Sequence, residues 1–449
     1  MWFASLAIVP LVTASATPGE LASRATMASG NGPCQPAWLP WFGGQQGSVN
    51  GGVSALALSE AEGLLYVGGG FTAAGGSPAA SVAAWDGESW AALDTGLNGP
   101  VFGMAVMPAH DGAPASVVVV GFFTMAGGRP ARGVARWDGS GWSDLGGGID
   151  GWGWADSVIV FDDGLGAGPA LYVGGWFNAV GGVPAKNIAR WDGTSWSALA
   201  DGVPFETFGM TSLRTQSGVD VLCVGGSSST IGVWDGLAWS SISIGDDQGF
   251  VMALSSFDDG SGSGPALIVG GGFTIPGEPT SWLARWNGSD WTPLGAGVNG
   301  WVASLLAVDD GLGAGQSLYV GGNFTTADGE PAARAARWDG QSWFPLGEGC
   351  AAPVRTLALG VGERGEPLSL VAGGDFAQGP AGDPFLGLWQ MCPNTPMCTG
   401  DLNSDGEVGG ADLAALLGAW GGPGADLDGD GTTNASDLAT LLGGWGPCQ

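Results

Sequence analysis

Two stretches near the end of the chain place oxygen-bearing side chains at fixed intervals. Asp401, Asn403, Asp405, Glu407 and Asp412 form the first, and Asp426, Asp428, Asp430, Thr432 and Asp437 repeat it 25 residues later. In each, the oxygens fall at positions 1, 3, 5, 7 and 12 of a loop whose position 6 is glycine, Gly406 or Gly431. A hard divalent cation such as Ca2+ gathers about six to eight oxygens at once, one of them the backbone carbonyl of position 7, and glycine allows the sharp turn between them. The spacing predicts two Ca2+ ions, one per loop. After each loop comes an apolar run, LAALLGAWG or LATLLGGWG, that reads as a short helix.

Elsewhere the residues able to do chemistry are few. Trp154, Phe250 and Trp301 stand at equivalent points of a repeat described below, with Trp152 beside the first. Flat aromatic faces stack on sugars or on apolar peptide, and these four are the candidate ligand-binding residues. The alternative is that they fill the centre of the fold as core. Asp162-Asp163, Asp258-Asp259 and Asp309-Asp310 recur in equivalent loops. Neighbouring acids on one loop do not set two carboxyls on opposite sides of a glycosidic bond, so they read as solvated turn acids, with weak structural Ca2+ sites as the alternative. The chain has one histidine, His110, in a loop. Arg136, Arg190, Arg285 and Arg337 share one repeat position, and Tyr66, Tyr172 and Tyr319 share another, which makes them structural. No catalytic residue is expected. If the chain is an enzyme after all, hydrolysis of O-glycosyl bonds is the reaction to test.

The elements that position these residues come from a repeat. LYVGGGFTAAGGSPAASVAAWDGESWAAL from Leu65 returns as LYVGGWFNAVGGVPAKNIARWDGTSWSAL from Leu171 and LYVGGNFTTADGEPAARAARWDGQSWFPL from Leu318, with weaker copies between and after. The valine anchoring each copy falls at 67, 119, 173, 224, 269, 320 and 371, which gives seven units. Each unit divides into four short strand patterns, a to d, and Asp-Gly or Asn-Gly between c and d signals a hairpin. Seven four-stranded units predict an all-β, seven-bladed β-propeller. The seventh unit lacks a strand d, while Pro36-Ala37-Trp38-Leu39-Pro40 resembles an orphan one, so the N-terminal strand is expected to close the ring. Cys34 and Cys392 would then flank one seam and are expected to pair. Cys398 and Cys448 bracket the loop module and are expected to pair too, whereas Cys223 reads as a buried thiol and Cys350 has no obvious partner.

The resulting organisation is a signal peptide over 1–16, a linker over 17–33, the propeller over 34–392, a linker over 393–397 and the small helical calcium module over 398–449. Residues 2–12 form an apolar run followed by Thr13-Ala14-Ser15-Ala16, which suggests export to the outside or the cell surface. Twelve basic residues against 42 acidic ones give a net charge of −30, which repels phosphate backbones and anionic membranes. No apolar segment is long enough to span a bilayer.

A glycine pair closing strand b, an aromatic on strand c and a Trp opening strand d resemble the kelch class of propellers. The phrases WDGxSW and FxxAGG are similar to kelch-like repeats of secreted planctomycete proteins, though the Trp-Asp-Gly and the short c–d turn depart from standard kelch. The loop pair, with Asp at position 12 and a helix on one side only, resembles dockerin type I. That resemblance implies anchoring to a cohesin-bearing scaffold of polysaccharide-degrading enzymes. Positions 10 and 11, however, are Gly410-Ala411 and Ala435-Ser436 where that family often has Ser-Thr, which argues against cohesin as the partner. The reading as a whole is a binding or scaffold protein whose propeller faces a polysaccharide or an extracellular protein. A polysaccharide-degrading component and a cell-envelope structural protein are the alternatives.

Overall fold

A computed structural model of the chain describes residues 36–42, 47–109, 115–164, 168–215, 217–245, 249–275, 282–312, 315–360, 369–377, 379, 381–391, 400, 402, 407–422, 424–425, 427 and 432–447. All belong to the unit Pro36–Gln449, and the other unit, Met1–Gln35, lies outside them. The signal-peptide and linker readings, His110, and Cys34, Cys392, Cys398 and Cys448 therefore fall outside the described residues. Among the described residues no helix is long and apolar enough to cross a membrane.

Seven four-stranded antiparallel sheets follow one another along the chain, each ordered a-b-c-d. Their innermost strands are Val53–Ser59, Val101–Met107, Trp154–Phe161, Thr207–Arg214, Phe250–Phe257, Val302–Val308 and Val354–Leu359. Each lies against the innermost strands of both neighbouring blades, and the first touches the seventh, so the ring is closed. Closure uses the orphan strand: Ala37–Leu39 pairs antiparallel with Leu386–Gln390 as strand d of blade 7. Register corrects one anchor. Leu357 pairs with Ala372, as Leu56 pairs with Val67, so Ala372 and not Val371 holds the repeat position in blade 7.

The repeated residue types each have a local reason. The Asp or Asn of every c–d turn accepts two backbone N–H groups through Oδ1, as Asp86 does from Glu88 and Ser89 at 2.8 and 2.6 Å. The glycine that follows adopts φ between 89° and 103° in all six such turns, a conformation that disfavours any Cβ. The strand-c and strand-d tryptophans face each other in every blade, ring centroids 5.0 to 5.4 Å apart. Six strand-d indoles also donate to a carbonyl of the preceding blade at 2.6 to 2.9 Å. Trp90, beside the seam, is the exception: its Nε1 has no partner among the described residues, and its ring packs on Phe42 instead.

The glycine pair ending strand b is a packing device. A Cβ on the second glycine would strike the carbonyl oxygen of the residue just before its strand-a partner. One on the first would strike a strand-a side chain of the next blade, such as Val302 above Gly270. Blade 2 has Val120 in place of that first glycine, and blade 3 answers with Ala155 where other blades hold Val or Thr.

Beyond the propeller, α1 (Gly410–Gly418) and α2 (Ala435–Gly443) repeat each other 25 positions apart. Val408, Leu416, Ala425 and Leu441 form their small core.

Candidate functional site

Strand a begins and strand b ends at one end of every blade, and that end carries the candidate aromatics. The residues just before the strand-a partner of the second strand-b glycine are Gly52, Pro100, Trp154, Glu206, Phe250, Trp301 and Pro353. Trp154, Phe250 and Trp301 are thus equivalent, as expected, but the structure does not bring them together. Glu206 intervenes between the first two. The Phe250 ring lies back over Gly272 of its own blade, where a Cβ would collide with it.

Of the four candidates, Trp154 alone gathers aromatic neighbours among the described residues. It pairs across the sheet with Trp176, the last residue of strand b, their rings 5.0 Å apart. Phe122, just after strand b of blade 2, meets it edge-on at 6.2 Å. Phe122 and Trp176 stay 49% and 45% exposed, and Trp152 is 85% exposed. Large apolar rings this open are the informative kind of surface residue, since folding alone gains nothing from them.

Carboxyl groups border this wall. The indole N–H of Trp154 donates to Glu206 Oε1 at 3.0 Å. Glu206 is fixed by Ser227: its backbone N–H donates to Ser227 Oγ at 3.1 Å, and the Ser227 N–H donates to its carbonyl at 2.9 Å. Ser227 alone joins strands b and c of blade 4, whereas blades 1, 2, 3 and 6 carry a small hairpin there. That missing hairpin accounts for the shortest step in the repeat.

Asp156 completes the cluster. It occupies a β-bulge between Ala155 and Ser157, and a bulge recurs at this point of all seven innermost strands. Bulged residues leave the ladder and turn their side chains to new directions, and they are common beside active sites. The other occupants are Ser54, Phe102, Phe208, Met252, Ala303 and Arg355. Burial first, and then the charge of Glu206, push the Asp156 carboxyl up to about 7, while the Trp154 indole opposes the rise. Its Oδ2 is buried with no hydrogen-bond partner among the described residues. In blade 7 the positions of Asp156 and Trp176 hold Arg355 and Asp375, paired with each other at 2.7 Å. Neither Asp156 nor Glu206 belongs to a motif. The one sequence signal for them is an acid standing where sister blades carry something else.

The acid pairs at the opposite end of the blades are turn acids in their first members only, which corrects that expectation for the second members. The first of each caps its own turn, as Asp309 Oδ1 accepts from Gly311 N–H at 3.1 Å. The second folds back onto strand c: Asp163 meets Arg190 at 3.5 Å, Asp259 meets Arg285 at 2.9 Å and Asp310 meets Arg337 at 3.2 Å. Tyr172 and Tyr319 donate to the same carboxylates, and Asp310 is fully buried. These clasps use up Arg190, Arg285, Arg337, Tyr172 and Tyr319, which therefore are structural, while Tyr66 donates to Glu62 instead. Cys223 and Cys350 are buried free thiols, each pushed up to about 12 by burial.

In the helical module, Asp412 and Asp437 hold the third positions of α1 and α2 and are fully buried. Asp412 accepts from Leu402 and Gly409 N–H at 2.8 Å each, and Asp437 from Leu427 and Asn434 at 2.7 Å each. Both carboxylates stand at position 12 of their loops, the oxygen type that a hard cation takes. Asp401, Asn403, Asp405, Asp426, Asp428 and Asp430 lie outside the described residues; Glu407 is described by its backbone alone, and Thr432 is described. Leu417, Trp420, Leu442 and Trp445, again 25 apart in pairs, are about half exposed at 49 to 53%.

No family model matches the chain, and no curated protein matches it either. Among solved structures it is similar to the WD40 β-propeller domain of Doa1, at 13% identity and a TM-score of 0.48, over 79% of this chain and 95% of that one.

Proposed function

We propose that the protein is a secreted, non-catalytic binding protein. Its propeller takes up a glycan on the aromatic wall of blades 2 to 4, and its helical module, loaded with two Ca2+ ions, joins it to a further extracellular component. The exposed rings of Phe122, Trp152 and Trp176 around Trp154 carry this reading. Pyranose rings present C–H faces that stack on indole, and the rings are held from below by the blade rather than by one another alone. The half-exposed Leu417, Trp420, Leu442 and Trp445 give the module an apolar face for its partner, whose identity the cohesin resemblance does not supply.

Hydrolysis fits less well. Glycosidases set two carboxyls on opposite sides of the bond they cleave, whereas Glu206 is bound to the Trp154 indole beside Asp156 and its charge acts on that same carboxyl. A glycan-binding screen of the full chain in calcium tests the proposal, with Trp154→Ala and Trp176→Ala as controls. Binding should fall by roughly tenfold or more in each, consistent with about 1–3 kcal/mol per lost stacking contact. Binding that survives both substitutions would place the ligand elsewhere, and product release from a bound glycan would revive the hydrolase reading.

A further inference from the structure

The composition of the cluster in blades 2 to 4 points beyond a generic sugar. A neutral glycan asks for donors as well as acceptors around its hydroxyls. The cluster offers two carboxyl groups, and of the indole N–H groups in its wall that of Trp154 already serves Glu206, which leaves acceptors in excess of donors. Two acids side by side against an apolar wall repel each other unless a proton or a cation comes between them. A hard metal ion is a poor candidate, because it needs about six oxygens and the cluster supplies two carboxyls among aromatic rings. An organic ammonium is satisfied by both features: its charge by the carboxylates, its flanks by the π faces of indole. The opposite side of the ring does not compete, since Arg355 there neutralises Asp375 within its own blade. The net charge of −30 would also draw a polycation toward the protein.

We infer that this cluster selects a glycan bearing free amino groups, with a pyranose ring stacked on the Trp176–Trp154–Phe122 wall and its ammonium held by Glu206 and Asp156. The inference rests on the binding function proposed above and names its ligand class. Indole planes of this breadth match a sugar face better than the narrow four-methylene stem of a lysine, which is why a glycan is favoured over a basic peptide.

Calorimetric titration of the full chain in calcium at about pH 7 decides it. The probes are glucosamine oligomers, their N-acetylated counterparts, neutral cello-oligomers and an oligolysine peptide. Glucosamine oligomers should bind roughly tenfold or more tightly than the acetylated ones. Glu206→Gln should erase that preference while thermal unfolding shows the fold intact, and Asp156→Asn should weaken it. Trp176→Ala should weaken binding of every glycan. Equal binding of all three glycans overturns the ammonium inference and leaves the glycan function standing. A preference that Glu206→Gln does not move reduces it to bulk charge attraction and overturns it as well. Oligolysine as the sole ligand overturns both readings, and so does the absence of any binding.

Discussion

At the scale of single residues, Asp156 is the group whose placement costs the fold something. Its unfolded-state value is the ordinary 3.8, and in the fold it is raised to about 7. Below about pH 4 the carboxyl holds its proton in both states and nothing is lost. As pH climbs from there toward 7, the unfolded chain releases the proton while the fold retains it, so stability falls across that interval and levels off above it. Asp156→Asn removes the penalty without changing shape. Thermal unfolding should show the variant matching the parent at pH 4 and exceeding it at pH 8, on the order of 1 kcal/mol once partial solvent exposure is allowed for. Burial is the larger cause and the charge of Glu206 the second, so Glu206→Gln should shrink the parent's loss and end it at a lower pH. A variant with the same advantage at both pH values would refute a titration cause. Under the binding function proposed above, that penalty at physiological pH is the cost of keeping a carboxyl in the ligand site.

At the scale of the element, the blade is set by contacts that a glycine either permits or forbids. The Gly270→Val substitution should cost about 1–3 kcal/mol, because its side chain would enter the space of Val302 on the next blade. Val302→Ala alone should cost about 1–2 kcal/mol through the cavity it leaves. The double variant should recover much of both losses, since it recreates the pairing of Val120 with Ala155 between blades 2 and 3. Urea unfolding of the four proteins in this cycle measures the coupling, and strict additivity would rule out the contact as the reason for the glycine. Such rules also explain what was legible in advance. Glycine pairs, Asp-Gly turns and facing tryptophans are each demanded by a neighbour at a fixed sequence offset, so seven blades and their strand order could be read directly. The role of Asp310 could not be, because Tyr319 and Arg337 reach it from two other strands. Asp156 and Glu206 were hidden for a further reason: they depart from the repeat, and their meaning depends on which rings the adjoining blades place beside them. The equivalence of Trp154, Phe250 and Trp301 was legible, yet equivalence around a ring separates residues rather than gathering them.

At the scale of the whole molecule, the ring closes at one seam where sheet continuity passes between distant parts of the chain. Trp38 faces Trp389 at 5.3 Å and its indole donates to the carbonyl of Leu346 at 2.8 Å. Asp383 Oδ2 accepts the backbone N–H groups of Trp41 and Phe42 at 2.9 and 3.1 Å, pinning the segment that follows. Blade 4 makes the same indole contacts through Trp239, with Trp234 at 5.1 Å and Leu199 at 2.8 Å, but there a turn joins strand d directly to strand c. Removing either ring should cost about 3–5 kcal/mol of packing. The consequences should differ, because in blade 4 the loosened strand remains tethered at one turn's length, while at the seam its release opens the ring. Trp38→Ala should therefore lose amide protection selectively over 37–42 and 386–390, well before global unfolding, whereas Trp239→Ala should lower global stability and keep its strand protected. Hydrogen exchange followed by fragment mass spectrometry separates the two outcomes. If both variants lose protection only on global unfolding, the seam is no weaker than any other blade, and closure rests on more than the contacts described for strand d. Selective opening would instead make the seam the lowest-energy route by which the propeller, and the ligand wall three blades away, come apart.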